Sequence, residues 1–195
     1  MGLNEPEILK NKDFLRGSKM LGLEGKELHS ERLIYRLLQR KDYGRLREIL
    51  SDGEVTIPAG YVPVRTKREA DAFFRYLTKD SGTLAVCLEQ TMIGYFHVKT
   101  VKPGDIRDRG GAFVTAGFVL DRRYHGKGYA TEMLSALTKY LLERFDGCFV
   151  DHFEDNPASE RVIKKCGYRY FAEERFYFEE FDEEKRVLIY EALQA

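Results

Sequence analysis

The chain has 195 residues, 43% hydrophobic and 33% charged, and its 32 Lys+Arg balance its 32 Asp+Glu, so the formal net charge is zero. That length suits one core-bearing domain with a short extension and is too small for two full domains. The charge balance lacks the basic excess expected of a protein that grips nucleic-acid phosphates, and with a mean hydropathy of −0.45 no uncharged apolar run approaches the length of a membrane span. No direct nucleic-acid or membrane partner is expected.

The start, Met1-Gly2-Leu3-Asn4-Glu5-Pro6, carries no apolar signal region, and Pro6 breaks the myristoylation pattern. The three cysteines, Cys87, Cys148 and Cys166, are odd in number and have no metal-ligand spacing. They read as reduced, largely buried side chains of a cytoplasmic protein, and no metal site is expected.

Residues 1–30 mix charge and glycine with short apolar clusters and read as an N-terminal extension, with one helix around residues 6–15. Regular patterning begins with a strand at 33–37. A helix follows at 41–50, where Asp42 is placed to favour the positive end. Residues 51–66, with two glycines and two prolines, read as a loop, and 68–77 as a second amphipathic helix. Strands at 84–88 and 92–98 make a hairpin through Glu89-Gln90-Thr91. Residues 99–111 form a long polar loop, and 113–120 another strand.

A long helix spans 129–145, then come a strand at 148–153 and a helix at 157–166. That helix opens on Pro157 and stops before Gly167. Residues 168–178 and 187–193 form a last hairpin turning at 182–185. Successive strands without helices between them are antiparallel, and the later strand-helix-strand stretch allows a parallel pair. The order predicts a mixed α/β (α+β) fold of six to seven strands, mostly antiparallel with a central parallel pair and helices on both faces.

The turn before the long helix reads Asp121-Arg122-Arg123-Tyr124-His125-Gly126-Lys127-Gly128. Glycines there let the backbone take positive φ and admit a close ligand. The N–H groups that open a helix have no partner within it, and the dipole adds about half a positive charge. Together these make a cradle for a pyrophosphate. A P-loop would need Gly-x4-Gly-Lys-Ser/Thr, which is absent. A dinucleotide fingerprint is matched in part, since Thr131 stands where its last small residue belongs, with Asp151 at about the distance of a ribose-binding acid. Against it, residues 121–125 intervene between strand and glycines, and the preceding strands are antiparallel.

Arg123-x-x-Gly126-x-Gly128 between a strand and a long helix resembles the acyl-CoA signature of the GCN5-related N-acetyltransferases (GNAT). The likeness extends to Gly117-Phe118-Val119-Leu120-Asp121, to Tyr124 through Glu132, and to Asn156-Pro157-Ala158-Ser159 with Val162, Lys165, Gly167 and Tyr168. These are similar to the branch holding the ribosomal-protein N-terminal (alanine/serine) acetyltransferases, as are Glu31-Arg32-Leu33 and Met92-Ile93-Gly94-Tyr95. The resemblance covers residues 31–193 and implies a GNAT acetyltransferase domain at 31–195.

What the resemblance implies is transfer of an acetyl group from acetyl-CoA, a co-substrate, to a primary amine on a small molecule or a protein N-terminus, by a monomer or homodimer. Phe118, Val119 and Leu120 would bind the pantetheine arm. Arg123, Tyr124, His125, Gly126, Lys127, Gly128, Tyr129, Ala130 and Thr131 would surround the pyrophosphate, with Lys165 nearby. Asn156 and Ser159 would touch the cofactor or the reacting atoms, Ser159 giving a proton to the leaving thiolate. Ile163 occupies the place where many relatives have a tyrosine acid, and Thr115 the place of a frequent glutamate base.

His152, Asp151, Glu154 and His97 remain as candidate bases, His152 being assigned with Ser159 and Asn156 to catalysis. At pH 7 an amine of pKa near 10.4 costs about 4–5 kcal/mol to deprotonate, and an α-amine about 1 kcal/mol. With no dedicated carboxylate at 115, an α-amine or another weakly basic amine is the expected acceptor. The acidic run Glu173, Glu174, Glu179, Glu180, Asp182, Glu183 and Glu184 either borders the acceptor cleft or forms a solvated face. Two other readings stay open: a CoA-binding sensor without activity, and a nucleotide-cofactor oxidoreductase.

Overall fold

Alternating apolar and polar residues become strands of one sheet. The computed structural model describes residues 21–23, 25–79, 82–179 and 182–194. The expected helix at residues 6–15, together with Glu180, lies outside them. The strands are β1 (Glu27–His29), β2 (Leu33–Leu37), β3 (Thr83–Leu88), β4 (Thr91–Thr100), β5 (Phe113–Leu120), β6 (Gly147–Phe153), β7 (Arg169–Phe178) and β8 (Glu183–Leu193). They lie in the order β1-β2-β3-β4-β5-β6-β8-β7. The β5–β6 pair is parallel and every other neighbouring pair antiparallel. The mixed sheet with a central parallel pair is as expected. It has eight strands rather than six to seven, because Glu27–His29, assigned to the extension, pairs with β2. Leu21 and Leu23 of the same stretch are buried in the core, and the Leu21 carbonyl accepts a hydrogen bond from Tyr140 Oη at 2.5 Å.

The helices are α1 (Tyr43–Ser51), α2 (Gly53–Thr56), α3 (Lys67–Lys79), α4 (Tyr129–Leu142) and α5 (Pro157–Lys165). α2 and a 3-10 turn at Ile57–Ala59 occupy residues expected to be loop, because Asp52 accepts from Glu54 N at 3.1 Å and caps a helical turn. α3 begins with a reciprocal cap in which Thr66 Oγ1 accepts from Glu69 N and Glu69 Oε2 accepts from Thr66 N. Met133, Leu134, Leu137 and Leu141 give α4 an apolar stripe, packed with Ile163 of α5 against Val86, Phe96, Val114 and Val150 on one face of the sheet. On the other face Ala70, Phe74 and Leu77 of α3 and Leu46, Ile49 and Leu50 of α1 cover Ala85, Cys87, Tyr95 and Val119.

Two features hold the strands around the site in place. Gly94 of β4 allows β5 to approach, since a Cβ there would stand 2.3 Å from the Val119 carbonyl oxygen. Arg36 on β2 forms a buried two-pronged pair with Asp42, both bonds at 2.7 Å, and Asp42 also accepts from Gln39 N at 2.8 Å. Asp42 therefore anchors the entry to α1 through this pair and makes no side-chain cap on α1 itself. Among the described residues no helix is long and apolar enough to cross a membrane.

Candidate active site

The parallel pairing is short. It runs from Phe113 with Gly147 to Ala116 with Val150 and stops. Beyond it, β5 stays with β4 as far as Leu120, while β6 stays with β8 as far as Phe153. The sheet therefore opens between Gly117 and Asp151, the next two residues in register. Asp121 N donates to Ile93 O at 2.8 Å, so the odd-numbered residues at this end of β5 turn their amides to β4. By alternation, Phe118 and Leu120 turn theirs into the gap.

At the mouth of the gap the chain turns into α4. Asp121 organises the turn by accepting from Arg123 N at 2.9 Å, while Tyr124 N and His125 N donate to the carbonyls of Asp121 and Arg122. The cradle is thus narrower than the sequence implied, because the amides of Arg123, Tyr124 and His125 are already bonded. Gly126 at φ 74° and Gly128 at φ 83° then bring the chain to the helix. Gly128 is the N-cap and offers no side-chain cap. Among the described residues the amides of Gly126, Lys127 and Gly128 have no backbone partner, and those of Tyr129, Ala130 and Thr131 open the helix.

The side chains around them are accounted for. His125 Nε2 donates to Leu120 O at 2.8 Å and Lys127 Nζ to Arg123 O at 3.0 Å. The Arg32 guanidinium lies 4.5 Å from the Tyr129 ring centre, and the Tyr124 and Tyr129 rings are 6.2 Å apart. Arg123 turns to Asp121 at 2.7 Å and Glu48 at 3.6 Å, and Arg122 to Asp52 at 3.0 Å, so both charges lean toward α1 rather than over the amides. Burial opposes ionisation of Asp121, yet the bonds from Arg123 and Arg45 outweigh it and hold its pKa well below the usual carboxylate range.

α5 supplies the second wall. Asn156 Oδ1 accepts from Ser159 N at 3.1 Å and caps the helix, and Nδ2 donates to Pro58 O at 3.0 Å, across to the α2–α3 connection. Ser159 is half-buried in the first turn. Lys165 is exposed in the last turn, beside Cys166, whose Sγ donates to Thr131 O at 3.4 Å and brings that end of α5 to the start of α4. His152 points to the α5 side of the sheet. Its Nδ1 donates to Phe153 O at 2.7 Å, its ring stacks on Tyr190 at 5.4 Å, and its Nε2 is buried without a partner among the described residues.

Asp151, one residue earlier, points to the opposite side, where α1–α3 lie. Arg107 reaches it at 3.1 Å from the loop at residues 101–112 and also meets Asp105 at 3.0 Å and Glu174 at 3.5 Å. Arg107 is 8% exposed and its Nε has no partner among the described residues, whereas the Asp151 side chain is 44% exposed. Partial desolvation by the surrounding residues raises the Asp151 pKa even though solvent still reaches its carboxylate, and Arg107 only partly offsets this. On β4, His97 is paired with Gly117 and 7% exposed. Its Nδ1 shares a 2.6 Å hydrogen bond with Thr83 Oγ1, and burial followed by the charge of Lys99 pushes its pKa down to about 3. A Cβ on Gly117 would meet nothing within 4 Å, so open space lies beside His97.

Sequence reasoning missed Arg107 and Thr83, which lie far from every motif; only three-dimensional proximity joins Arg107 to Asp151. The acidic run of the last hairpin is largely ion-paired. Glu173 and Glu154 bind Arg186, Glu184 binds Arg175 and Glu183 binds Lys185, so of the described members only Glu174 joins the Arg107 cluster.

Residues 32–169 match the profile of the Acetyltransferase (GNAT) domain family. The match spans most of the chain, and the protein belongs to that family. No curated protein matches the sequence significantly. A GNAT-family acetyltransferase from Bacillus anthracis superposes with a TM-score of 0.73 at 22% identity, covering 86% of this chain and 98% of that one. RimL, a ribosomal L7/L12 alpha-N-protein acetyltransferase solved with coenzyme A, gives 0.70 at 16% identity over 86% of this chain and 98% of its own. A spermidine N-acetyltransferase from Vibrio cholerae, solved with CoA and spermine, gives 0.66 at 15% identity over 85% of this chain and 97% of its own. At these identities the likeness establishes a common fold, and RimL falls within the branch that the sequence resembles.

Proposed function

We propose that this member of the GNAT acetyltransferase family transfers an acetyl group from acetyl-CoA to an α-amine, such as a protein N-terminus, or to another weakly basic primary amine. The observation that carries the reading is the uncapped start of α4, whose free amides follow directly on the strand that borders the gap in the sheet. Such a terminus suits a pyrophosphate, because unpaired N–H groups and the helix dipole act together there. The two positive-φ glycines put no Cβ beside the amides, and the side chain that comes close to Gly128 is the cationic Arg32 guanidinium.

The residues present fit acetyl-CoA. The amides of Gly126 to Thr131 would take its phosphates, and the backbone of Phe118 and Leu120 its pantetheine arm. When bound, the coenzyme supplies an activated acyl thioester. The chain's own part is to orient and to manage protons. Asn156 fixes the start of α5 and ties it to Pro58, and Ser159, half-buried in the first turn of that helix, would be the proton donor to the leaving sulfur. The His152 Nε2, buried on the same side of the sheet, is the second polar group there. The Arg107 cluster holds three carboxylates against one guanidinium, and this negative bias favours an incoming amine.

Titration calorimetry with acetyl-CoA, CoA and NAD, followed by thiol release with a panel of amines and peptides, tests the reading. Binding of acetyl-CoA and CoA but not NAD, with thiol released fastest by α-amine peptides near neutral pH, is expected. Binding without thiol release from any amine would leave a CoA sensor, and preference for NAD would overturn the assignment.

A further inference from the structure

The sheet opens at a place where one cross-strand row carries the chemistry. Thr83 on β3 is paired with His97 on β4, and His97 with Gly117 on β5. The row then crosses the gap to Asp151 on β6, the residue that would have paired with Gly117 next. The Thr83 hydroxyl holds His97 Nδ1, the His97 Nε2 is buried and without a partner among the described residues, the space over Gly117 is open, and the Asp151 carboxylate closes the row. Thr115, two residues earlier on β5, has no carboxylate.

We propose that the acceptor amine sits over Gly117 between His97 and Asp151, and that the Asp151 carboxylate is the base that takes its proton. This rests on the acetyl-transfer reading above. The step balances in atoms and electrons. The amine lone pair attacks the carbonyl carbon of the acyl thioester and the C–N bond forms. The C–S bond breaks with its pair on sulfur, which leaves as thiolate. The proton lost by nitrogen passes to an Asp151 oxygen and from there to solvent, which reaches this side chain.

Neutral His97 borders the amine without the repulsion a second cation would bring. Arg107 is a positioning residue. It holds Asp151 Oδ2 at 3.1 Å and is itself braced by Asp105 and Glu174. The groups facing Asp151 are therefore Arg107 and Asp105 from the 101–112 loop, Glu174 from β7 and Tyr61 from the α2–α3 connection, with His152 adjacent in β6. Desolvation, helped by the charge of Asp105 and opposed by Arg107 and His152, raises the carboxylate's pKa toward the working range of a base.

The test uses the full chain, acetyl-CoA and an α-amine peptide. Wild type is expected to show a rising acid limb in kcat against pH. Asp151→Asn should lower kcat by about 10²–10⁴-fold, remove that limb, and leave the affinity for acetyl-CoA in calorimetry unchanged. Arg107→Gln should move the limb to higher pH, an effect that a purely structural arginine would not produce. It also provides the readout should Asp151→Asn fold poorly. An Asp151→Asn enzyme with wild-type kcat and limb, or an Arg107→Gln enzyme with an unmoved limb, would overturn this inference alone. Absence of acetyl-CoA binding by wild type would overturn the underlying reading as well.

Discussion

Two arginines lie buried beneath the same face of the sheet, and they are treated differently. Arg36 meets one carboxylate, Asp42, in a matched fork from which solvent is excluded. Arg107 meets three, its Nε is unpaired among the described residues, and one of the three, Asp151, remains open to solvent. The first arrangement is balanced in charge and geometry and holds β2 to the start of α1. The second carries excess negative charge at the edge of a gap, where that imbalance can serve an incoming cation. The two arginines are equally buried and differ in the number of carboxylates they meet and in the exposure of one of those partners.

The contrast can be broken by mutation, and the largest effect is expected at the matched pair. Asp42→Ala leaves the Arg36 guanidinium buried without its partner, and chemical denaturation should show a loss of about 3–5 kcal/mol. A loss below about 1 kcal/mol, the range of exposed pairs, would mean that Arg36 finds water instead. Gly128→Ala is expected to come next. A side chain at φ 83° costs about 1–2 kcal/mol, and the cradle would relax to relieve it. Calorimetry should then show acetyl-CoA affinity falling by roughly ten-fold, the equivalent of about 1.4 kcal/mol.

Acid titration sharpens the comparison through sign. The folded pKa of Asp121 is below that of an unfolded aspartate, so its contribution is fully present above about pH 4 and is lost as pH falls toward the folded value. Asp151 runs the other way. Its folded pKa is raised, so its ionisation opposes folding once pH rises above about 4. Thermal melts across pH 2–6 should therefore show a flatter acid limb for Asp121→Asn than for wild type. The smallest effect is expected for Asp151→Asn at pH 7, where Tm should hold or rise slightly even as activity is lost. A destabilisation as large as that of Asp42→Ala would place Asp151 with the structural pair.

Much of this was legible in the chain. The Phe113–Leu120 strand, the glycine turn, the long helix and the Asn156-Pro157 start of α5 follow from periodicity and capping chemistry, and the structure places them as read, with α4 ending at Leu142. The details of the turn were less accessible. That the Asp121 carboxylate would take the amide of Arg123 depends on its rotamer, and that its carbonyl would take the amide of Tyr124 depends on a 3-10 turn, and no pattern encodes either. Strand β1 escaped notice because three residues, Glu27 to His29, carry no measurable alternation, and their pairing depends on β2. Period-two alternation does say that Asp151 and His152 face opposite ways. Which of them faces α1–α3 depends on where those helices pack, a long-range fact. The Arg107 cluster joins a loop to β6 and β7, and sequence separation hid it completely.

The Asn156 carboxamide has a consequence beyond capping. One end grips α5, on the side proposed for the thioester, and the other grips Pro58, on the side proposed for the amine. The two sides of the proposed site are therefore cross-braced by one side chain, beside the packing of Phe153 against Gly60. Cutting the brace would leave each half able to hold its own reactant while the pair met out of line.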